Sequence, residues 1–176
     1  MKVIYTTSLE NYLDHQMYMV SKSKLVRRKR LLAKYIFTIS YLTLGLWLYL
    51  KGNVRTGIIF AALGVLWFFV YPILNKNSMR RFYGKYIREN YSNKLDKTVE
   101  MNIEKGFVFV NDSTSESKIP VSEFKKMIEI NSAFFLRLKS GTSYIIPKDA
   151  IDTAAFKSEI SGLQIPITVE TDWKWQ

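Results

Sequence analysis

The residues whose types and spacing can do chemistry in this chain are cations. The stretch KSKLVRRKRLLAK, residues 22–34, puts seven of them into thirteen positions: Lys22, Lys24, Arg27, Arg28, Lys29, Arg30 and Lys34. Five more, Lys76, Arg80, Arg81, Lys85 and Arg88, fall within residues 76–91. Clusters of this kind attract phosphate, whether of nucleic acid or of lipid. The rest of the inventory is thin. There is no cysteine and one histidine, His15. That removes disulfides, thiolate metal sites and a Cys nucleophile, and leaves histidine chemistry to a single side chain. No phosphate loop, GxSxG, HExxH or dinucleotide fingerprint occurs. The acids of the C-terminal half alternate with lysines as on a solvated surface. No catalytic residue, metal ligand or cofactor-binding residue is assigned, and the chain is expected to be no enzyme and to need no cofactor.

What lies between the two basic clusters decides what they bind. Residues 31–50, LLAKYIFTISYLTLGLWLYL, and residues 57–74, GIIFAALGVLWFFVYPIL, are almost wholly apolar. As helices they extend about 30 and about 27 Å, against a bilayer hydrocarbon core of about 30 Å. Neither shows the polar face of a soluble helix. Tyr35, Trp47, Tyr49, Trp67 and Tyr71 lie near the block ends, as in an aromatic belt. Tyr41 lies mid-span and needs a partner or a neighbouring helix. Lys34 can snorkel to the interface. Pro72 stands where it would kink or end the second helix. No ionisable group lies inside the spans of the kind that a coupled transporter ordinarily needs. Thr38, Ser40 and Thr43 are read as bonded to their own helix rather than as pore-lining.

The net charge of +11 is concentrated around these blocks, while residues 92–176 carry eleven cations and twelve acids. Seven cations precede the first span, two sit in the six-residue connector KGNVRT and five follow the second. The positive-inside rule then places both termini on the cytoplasmic side of a two-helix hairpin. The apolar run begins thirty residues in and no small-residue cleavage site follows, which reads as an anchor rather than a cleaved leader. Lys22, Lys24, Arg27, Arg28, Lys29, Arg30, Lys76, Arg80 and Arg81 are accordingly expected to set topology and to contact anionic lipid, at about 1 kcal/mol per cation near the surface. Nucleic acid is not an expected partner. Helix packing in lipid favours close backbone approach. Gly57, Ala61 and Gly64 fall at i, i+4 and i+7, and Gly45 offers a matching small site on the first span. An intramolecular contact is expected there, with a homo-oligomer through the same stripe left open.

On either side of the hairpin lie the elements that must position it. MKVIYT reads as a short strand or an extended lead-in. TSLE, residues 7–10, has the form of a capping box. Leu9, Tyr12, Leu13, Gln16, Met17 and Val20 lie on one helical face, which predicts an amphipathic helix over residues 9–30, running into the first span. Its apolar face lies on a membrane or docks on the C-terminal domain, with His15 beside it in a packing or surface role. After Arg88 the pattern changes. TVEMNIE, FVFV, KIPV, FKKMIEI, AFFLRLK and TSYIIP read as short strands separated by turns, including Lys105-Gly106 and the loop NDSTSES. DAIDTAAFKSEISG then has helical spacing, with Gly162 at a C′ position. The candidate core is Phe107, Phe109, Ile128, Phe135 with Phe134 as its alternative, Leu138, Ile146 and Phe156, enough for residues 92–176 to fold by themselves. In IIPKDA, Lys148 and Asp149 read as a solvated strand end, or else as a ligand or headgroup contact. DWKWQ reads as a frayed tail, the end of an added strand, or an interfacial anchor through Trp173 and Trp175.

The whole arrangement resembles the YcxB-like family of bacterial membrane proteins. The matching pieces are TSLENYLDHQMYMVSKSK before the basic run, two spans with a short connector, YPILNKNSMRRFY leaving the second span, and IPVSEFKKMIEINSAFFLRLKSGTSYIIPKDAI. Within the last, the family-like positions are Ile119, Ser122, Ile128-Glu129, the Phe-x-Leu of residues 134–136 and the Ile-Ile-Pro-Lys of residues 145–148. Ile119-Pro120 stands where a Trp is common, and the tail after Gly162 has no counterpart. The resemblance covers residues 5–160 and implies a cytoplasmic pleckstrin-homology-like domain with no catalytic residue.

The expected organisation is an N-terminal amphipathic helix and basic run (1–30), a transmembrane hairpin (31–74), a basic juxtamembrane segment (75–91), an antiparallel β domain closed by a C-terminal helix (92–162) and a tail (163–176). The fold class is that of an α+β membrane protein. The expected function is that of a non-enzymatic protein of the bacterial cytoplasmic membrane, with membrane lipid as one partner. Its cytoplasmic module would bind a protein or lipid. The alternative is a self-protection factor against a membrane-active peptide.

Overall fold

The computed structural model describes residues 1–104, 106–112 and 115–175. The chain is α+β. Its elements are β1 (Lys2–Thr6), α1 (Leu9–Ser21), α2 (Lys24–Leu50), α3 (Val54–Asn90), β2 (Thr98–Glu104), β3 (Phe107–Asn111), β4 (Glu116–Pro120), β5 (Phe124–Glu129), β6 (Ala133–Leu138), β7 (Ser143–Pro147), α4 (Thr153–Gly162) and β8 (Ile167–Val169). It divides into two compact units, one of Met1–Gln16 and Tyr83–Lys174, the other of Met17–Phe82 with Trp175.

The first unit is built on two four-stranded sheets, ordered β1-β2-β3-β4 and β7-β6-β5-β8. Strict alternation in β2 buries Met101 and Ile103 and turns Asn102 and Glu104 outward. Antiparallel pairing carries that phase to its neighbours: Val3 faces Met101, and Ile103 faces Val108. FVFV is apolar at every position, so only this register fixes which half points inward. Val108 and Val110 do. Phe107 and Phe109, expected in the core, point outward instead, with Phe107 38% exposed and the Lys118 ammonium 4.3 Å from its ring. In the second sheet Phe134, Leu136 and Ile146 join the common core with Phe156 and Ile160 of α4. Ile128 and Phe135 are equally buried but lie on the opposite face. Phe134 and Phe135 therefore both point into packed surroundings, because this sheet is covered on two sides.

The sequence reading of 92–162 as a self-contained β domain omits three pieces. β1 is a full strand of the first sheet, with Val3 and Tyr5 buried in the core. Burial pushes the Tyr5 phenol well above its usual pKa. The first part of α1 packs on the outer face of the second sheet, His15 meeting Phe135 edge-on at 4.9 Å and the Asp14 carboxylate accepting from the Ser132 hydroxyl at 2.8 Å. Finally, the tail contributes β8, which pairs in parallel with β5 and makes this sheet mixed rather than antiparallel. β8 covers the edge of β5 that would otherwise be open to another chain.

Local signals also shift. The α1 cap is Ser8 with Asn11, not Thr7 with Glu10: the Ser8 N–H donates to Asn11 Oδ1 at 2.9 Å, and the Asn11 N–H reaches Ser8 Oγ at 3.4 Å. Thr7 is buried and its hydroxyl donates to the Ile145 carbonyl instead. α4 starts later than its spacing suggests, after Asp152, whose carboxylate accepts from the N–H groups of Ala154 and Ala155 at 3.0 Å. Gly162 is still helical, and the left-handed residue is Gln164, with φ of 59°. Gly106, at φ of +91°, holds the turn after β2; Lys105, and Ser113 and Thr114 of the polar loop, lie outside the described residues.

The second unit is a helical hairpin. α1 and α2 are separate helices, where one continuous helix was expected over residues 9–30. Ser23 is extended and caps α2, accepting from the Val26 N–H at 3.5 Å. The connector is Lys51, Gly52 and Asn53, shorter than the six residues expected, with Gly52 at φ of +87°. Pro72 does not end α3, which runs on to Asn90. A proline removes one intrahelical bond, here to the carbonyl of Phe68, and the residues beyond resume the ladder. Both α2 and α3 are long and apolar enough to cross a membrane, with mean hydropathy of 1.5 and 2.3 over their most apolar stretches.

Candidate functional site

The hairpin narrows at its connector end and opens at its basic end, and side-chain size explains both. Gly45 and Gly57 face each other so closely that a Cβ on Gly45 would stand 2.8 Å from the Gly57 carbonyl oxygen and 2.9 Å from the Ala61 nitrogen. A Cβ on Gly57 would meet the Gly45 carbonyl at 2.7 Å. Two turns beyond Gly57, a Cβ on Gly64 would meet side chains, Tyr41 and Leu42, at 3.2 Å. Gly45, Gly57, Ala61 and Gly64 are thus brought together across the helix pair. Beyond them the contacts become aromatic. Tyr41 meets Phe60, Phe37 meets Trp67, and Tyr35 meets Phe68, with ring centroids 5.5 to 6.3 Å apart. The Thr38 hydroxyl donates to the Lys34 carbonyl at 2.8 Å, and that of Thr43 to Ile39 of its own helix.

At the open end α2 and α3 leave a cavity of about 180 Å³. Arg27, Arg30 and Lys34, at i, i+3 and i+7, present one face of α2 to it. Tyr71 and Asn75 flank Pro72 on the α3 side, and Trp175 completes the wall. Lys34 lies over the Phe68 ring at 3.6 Å, and the Arg30 guanidinium over the Trp175 ring at 4.5 Å. Arg30 Nη1 and Asn75 Oδ1 are buried and have no hydrogen-bond partner among the described residues. A buried polar group left in that state costs about 1–3 kcal/mol. Of the nine cations singled out from sequence, Arg27 and Arg30 line this cavity. Lys24 and Arg28 line an adjoining one, and Lys22, Lys29, Lys76, Arg80 and Arg81 lie exposed on the surface. Sequence reasoning missed Tyr71 and Asn75 as lining groups. An amide one turn past a proline, at the end of an apolar run, was the available signal. Trp175 carried a signal in its aromatic tail but none for its place beside Arg30.

The sheet unit holds a second constellation. Glu129, buried at the end of β5, is met by Lys148 at 2.7 Å from Oε1 and by Lys157 at 2.7 Å from Oε2. Burial pushes this carboxyl up, but hydrogen bonds and attraction from the two lysines outweigh it and hold the pKa below the usual value. Lys148 is therefore an ion-pair partner rather than a solvated strand end. The arrangement ties β5, the turn after β7 and α4 together, and its carboxylate has both oxygens engaged by cations. His15, desolvated against Phe135 and near Arg137, has its pKa lowered to about 4 and is neutral at pH 7. Among the described residues no group of three or more His, Asp or Glu is placed to hold a metal ion.

The model of the YcxB-like protein family matches residues 103–160, from within β2 into α4. This is the family that the quoted motifs resemble. No curated protein matches the chain. The matched segment contains both Glu129 of the Ile128-Glu129 pair and Lys148 of Ile-Ile-Pro-Lys, so two of the family-like positions meet as one part-buried ion pair.

Proposed function

We propose that this chain, YcxB-like over residues 103–160, is a non-enzymatic protein of the bacterial cytoplasmic membrane. In this reading α2 and α3 are its anchor, both termini are cytoplasmic, and the sheet unit is an interaction module. One observation carries the membrane reading. Only 6% of the most apolar stretch of α2 and 11% of that of α3 is buried within the protein. A core helix of a soluble protein buries its apolar side chains; these present theirs outward. The charge distribution supports the orientation, since the cation clusters flank the open end of the hairpin, whereas the connector end carries two cations, Lys51 in the connector and Arg55 in the first turn of α3.

The strand arrangement supports the pleckstrin-homology-like reading of the sheet unit. Four antiparallel strands and then three, followed by a helix, make up its frame, and β8 is an addition at the free edge of β5. A binding role, with a protein or lipid partner, fits a unit whose buried charges serve to join its own elements. Reporter fusions test the placement. A reporter at the C-terminus is expected to be active only in its cytoplasmic form, and one inserted at Asn53 only in its exported form. An exported C-terminal reporter, or full recovery of the chain in the soluble fraction, overturns it.

A further inference from the structure

The basic end of the hairpin holds more than surface charge. Its cavity joins three cations to two buried polar atoms of opposite need: Arg30 Nη1 must donate and Asn75 Oδ1 must accept. A ligand that meets both presents an anionic oxygen next to a hydroxyl or amine donor. A second cavity, of about 310 Å³, shares Arg27 and Leu31 with the first and continues along Leu32 and Tyr35. Leu31, Leu32 and Tyr35 are exposed apolar side chains on α2. A phosphate in the first cavity can therefore carry a hydrocarbon chain into the second. A free phosphate compound would fill the first and leave the second unused.

We propose that the cavity between α2 and α3 binds the headgroup of one anionic phospholipid. The phosphodiester sits on Arg27, Arg30 and Lys34. A headgroup hydroxyl donates to Asn75 Oδ1, and an acyl chain runs along Leu31, Leu32 and Tyr35. The Trp175 ring, 4.5 Å from the Arg30 guanidinium, holds that side chain in place by cation–π contact. This rests on the membrane reading above and adds to it a site of defined stoichiometry, distinct from general attraction to surface cations.

Native mass spectrometry of the full chain tests it, after release from nanodiscs of phosphatidylcholine doped with phosphatidylglycerol. Wild type is expected to retain one phosphatidylglycerol, and Arg30→Gln to lower that retention by about tenfold, as for loss of a charged hydrogen bond. Asn75→Leu is expected to reduce phosphatidylglycerol to the level of phosphatidylmethanol, which has the same charge and no headgroup hydroxyl. Lys85→Gln makes the same charge change away from the cavity and is expected to retain the lipid. Millimolar glycerol phosphate is expected to leave the lipid in place. Equal retention by wild type and Arg30→Gln, or equal loss in Lys85→Gln, overturns the site, and displacement by glycerol phosphate overturns the lipid assignment. If Arg30→Gln fails to fold by circular dichroism, Asn75→Leu decides alone, and undiminished headgroup preference there overturns the proposal. Fractionation of the same cells separates the two readings. Variants that stay in the membrane with unchanged lipid counts sink only the cavity, whereas a soluble wild type sinks the membrane reading.

Discussion

Phe134, Phe135 and Phe156 of the sheet unit are fully buried, whereas Leu50, Phe69 and Ile73 of the hairpin are 74%, 67% and 61% exposed. In the hairpin the deeply buried positions are Gly45, Gly57 and Gly64, with Thr38. The two regions are inverses. The sheet unit excludes large side chains from water, which stabilises it by about 1.5–3 kcal/mol for each one fully buried. In the proposed bilayer setting the hairpin would gain nothing of that kind, and its backbones approach because no side chain intervenes. Truncation should therefore harm one region and spare the other, and enlargement should do the reverse.

Removing whole segments should break the comparison most completely. A fragment of residues 92–176 lacks β1 and α1, and so leaves a sheet edge and the Phe135 face uncovered. It is expected to show no cooperative thermal melt. A chain in which a long flexible linker replaces residues 17–82 keeps the sheet unit whole and is expected to melt cooperatively by circular dichroism. A cooperative melt of the shorter fragment would show that β1 is dispensable.

Single truncations come next. Phe134→Ala should cost about 3–5 kcal/mol in denaturant titration of the sheet unit. Leu66→Ala, in an outward position of the hairpin, should leave yield and helicity in detergent unchanged. Enlargement should invert the ranking. Gly45→Leu drives a Cβ onto backbone atoms at 2.8 and 2.9 Å, which cannot yield as side chains do. It should cost more than the usual overpacking penalty of about 1–3 kcal/mol. Gly64→Leu meets the side chains of Tyr41 and Leu42 and should cost less. Thermal stability in detergent, with Ile59→Leu as control, ranks the three.

The titratable groups sharpen the picture with smaller effects. Glu129→Gln should destabilise by about 2 kcal/mol at pH 7, below the roughly 3–5 of a fully buried pair, because Lys148 and Lys157 can regain water. The pKa of Glu129 is depressed in the folded state, so its contribution is present above its unfolded value and is lost as pH falls through the folded one. The difference between Glu129→Gln and wild type should accordingly shrink as pH falls below the ordinary carboxylate range. His15 acts over a higher window. Its folded pKa of about 4 lies below its ordinary 6.5, so the unfolded chain binds more protons in between. Stability is complete above 6.5 and declines as pH falls towards 4. Wild type should lose about 2 kcal/mol more than His15→Gln between pH 7 and 4.5, as melting curves at both values would report.

Much of this was legible in the chain of residues. The second strand's alternation, the apolar blocks, the basic flanks and the small-residue stripe are all local patterns, and each lies where it was read. Legibility failed where local pattern was silent or doubled. FVFV offers no alternation, so its phase came from Ile103 across the turn. Phe134 and Phe135 looked like rivals for one core because nothing local says that a sheet is covered on both faces. TSLE and the residues that follow contain two overlapping cap candidates, and the demand of Ile145 for the Thr7 hydroxyl chose between them.

What the sequence determined by itself is whatever can be summed along a short window: two helices of spanning length, the charge that brackets them, and the strand period that follows. What only the tertiary structure decided is which distant pieces share a surface. β1 joins β2 from the far side of the hairpin, the tail supplies β8 beside β5, and Arg30, Asn75 and Trp175 meet around one cavity. Strand pairing and cavity walls depend on edges and faces that exist only once other elements are in place. A five-residue strand or a lone tryptophan carries no local mark of the partner that it will meet.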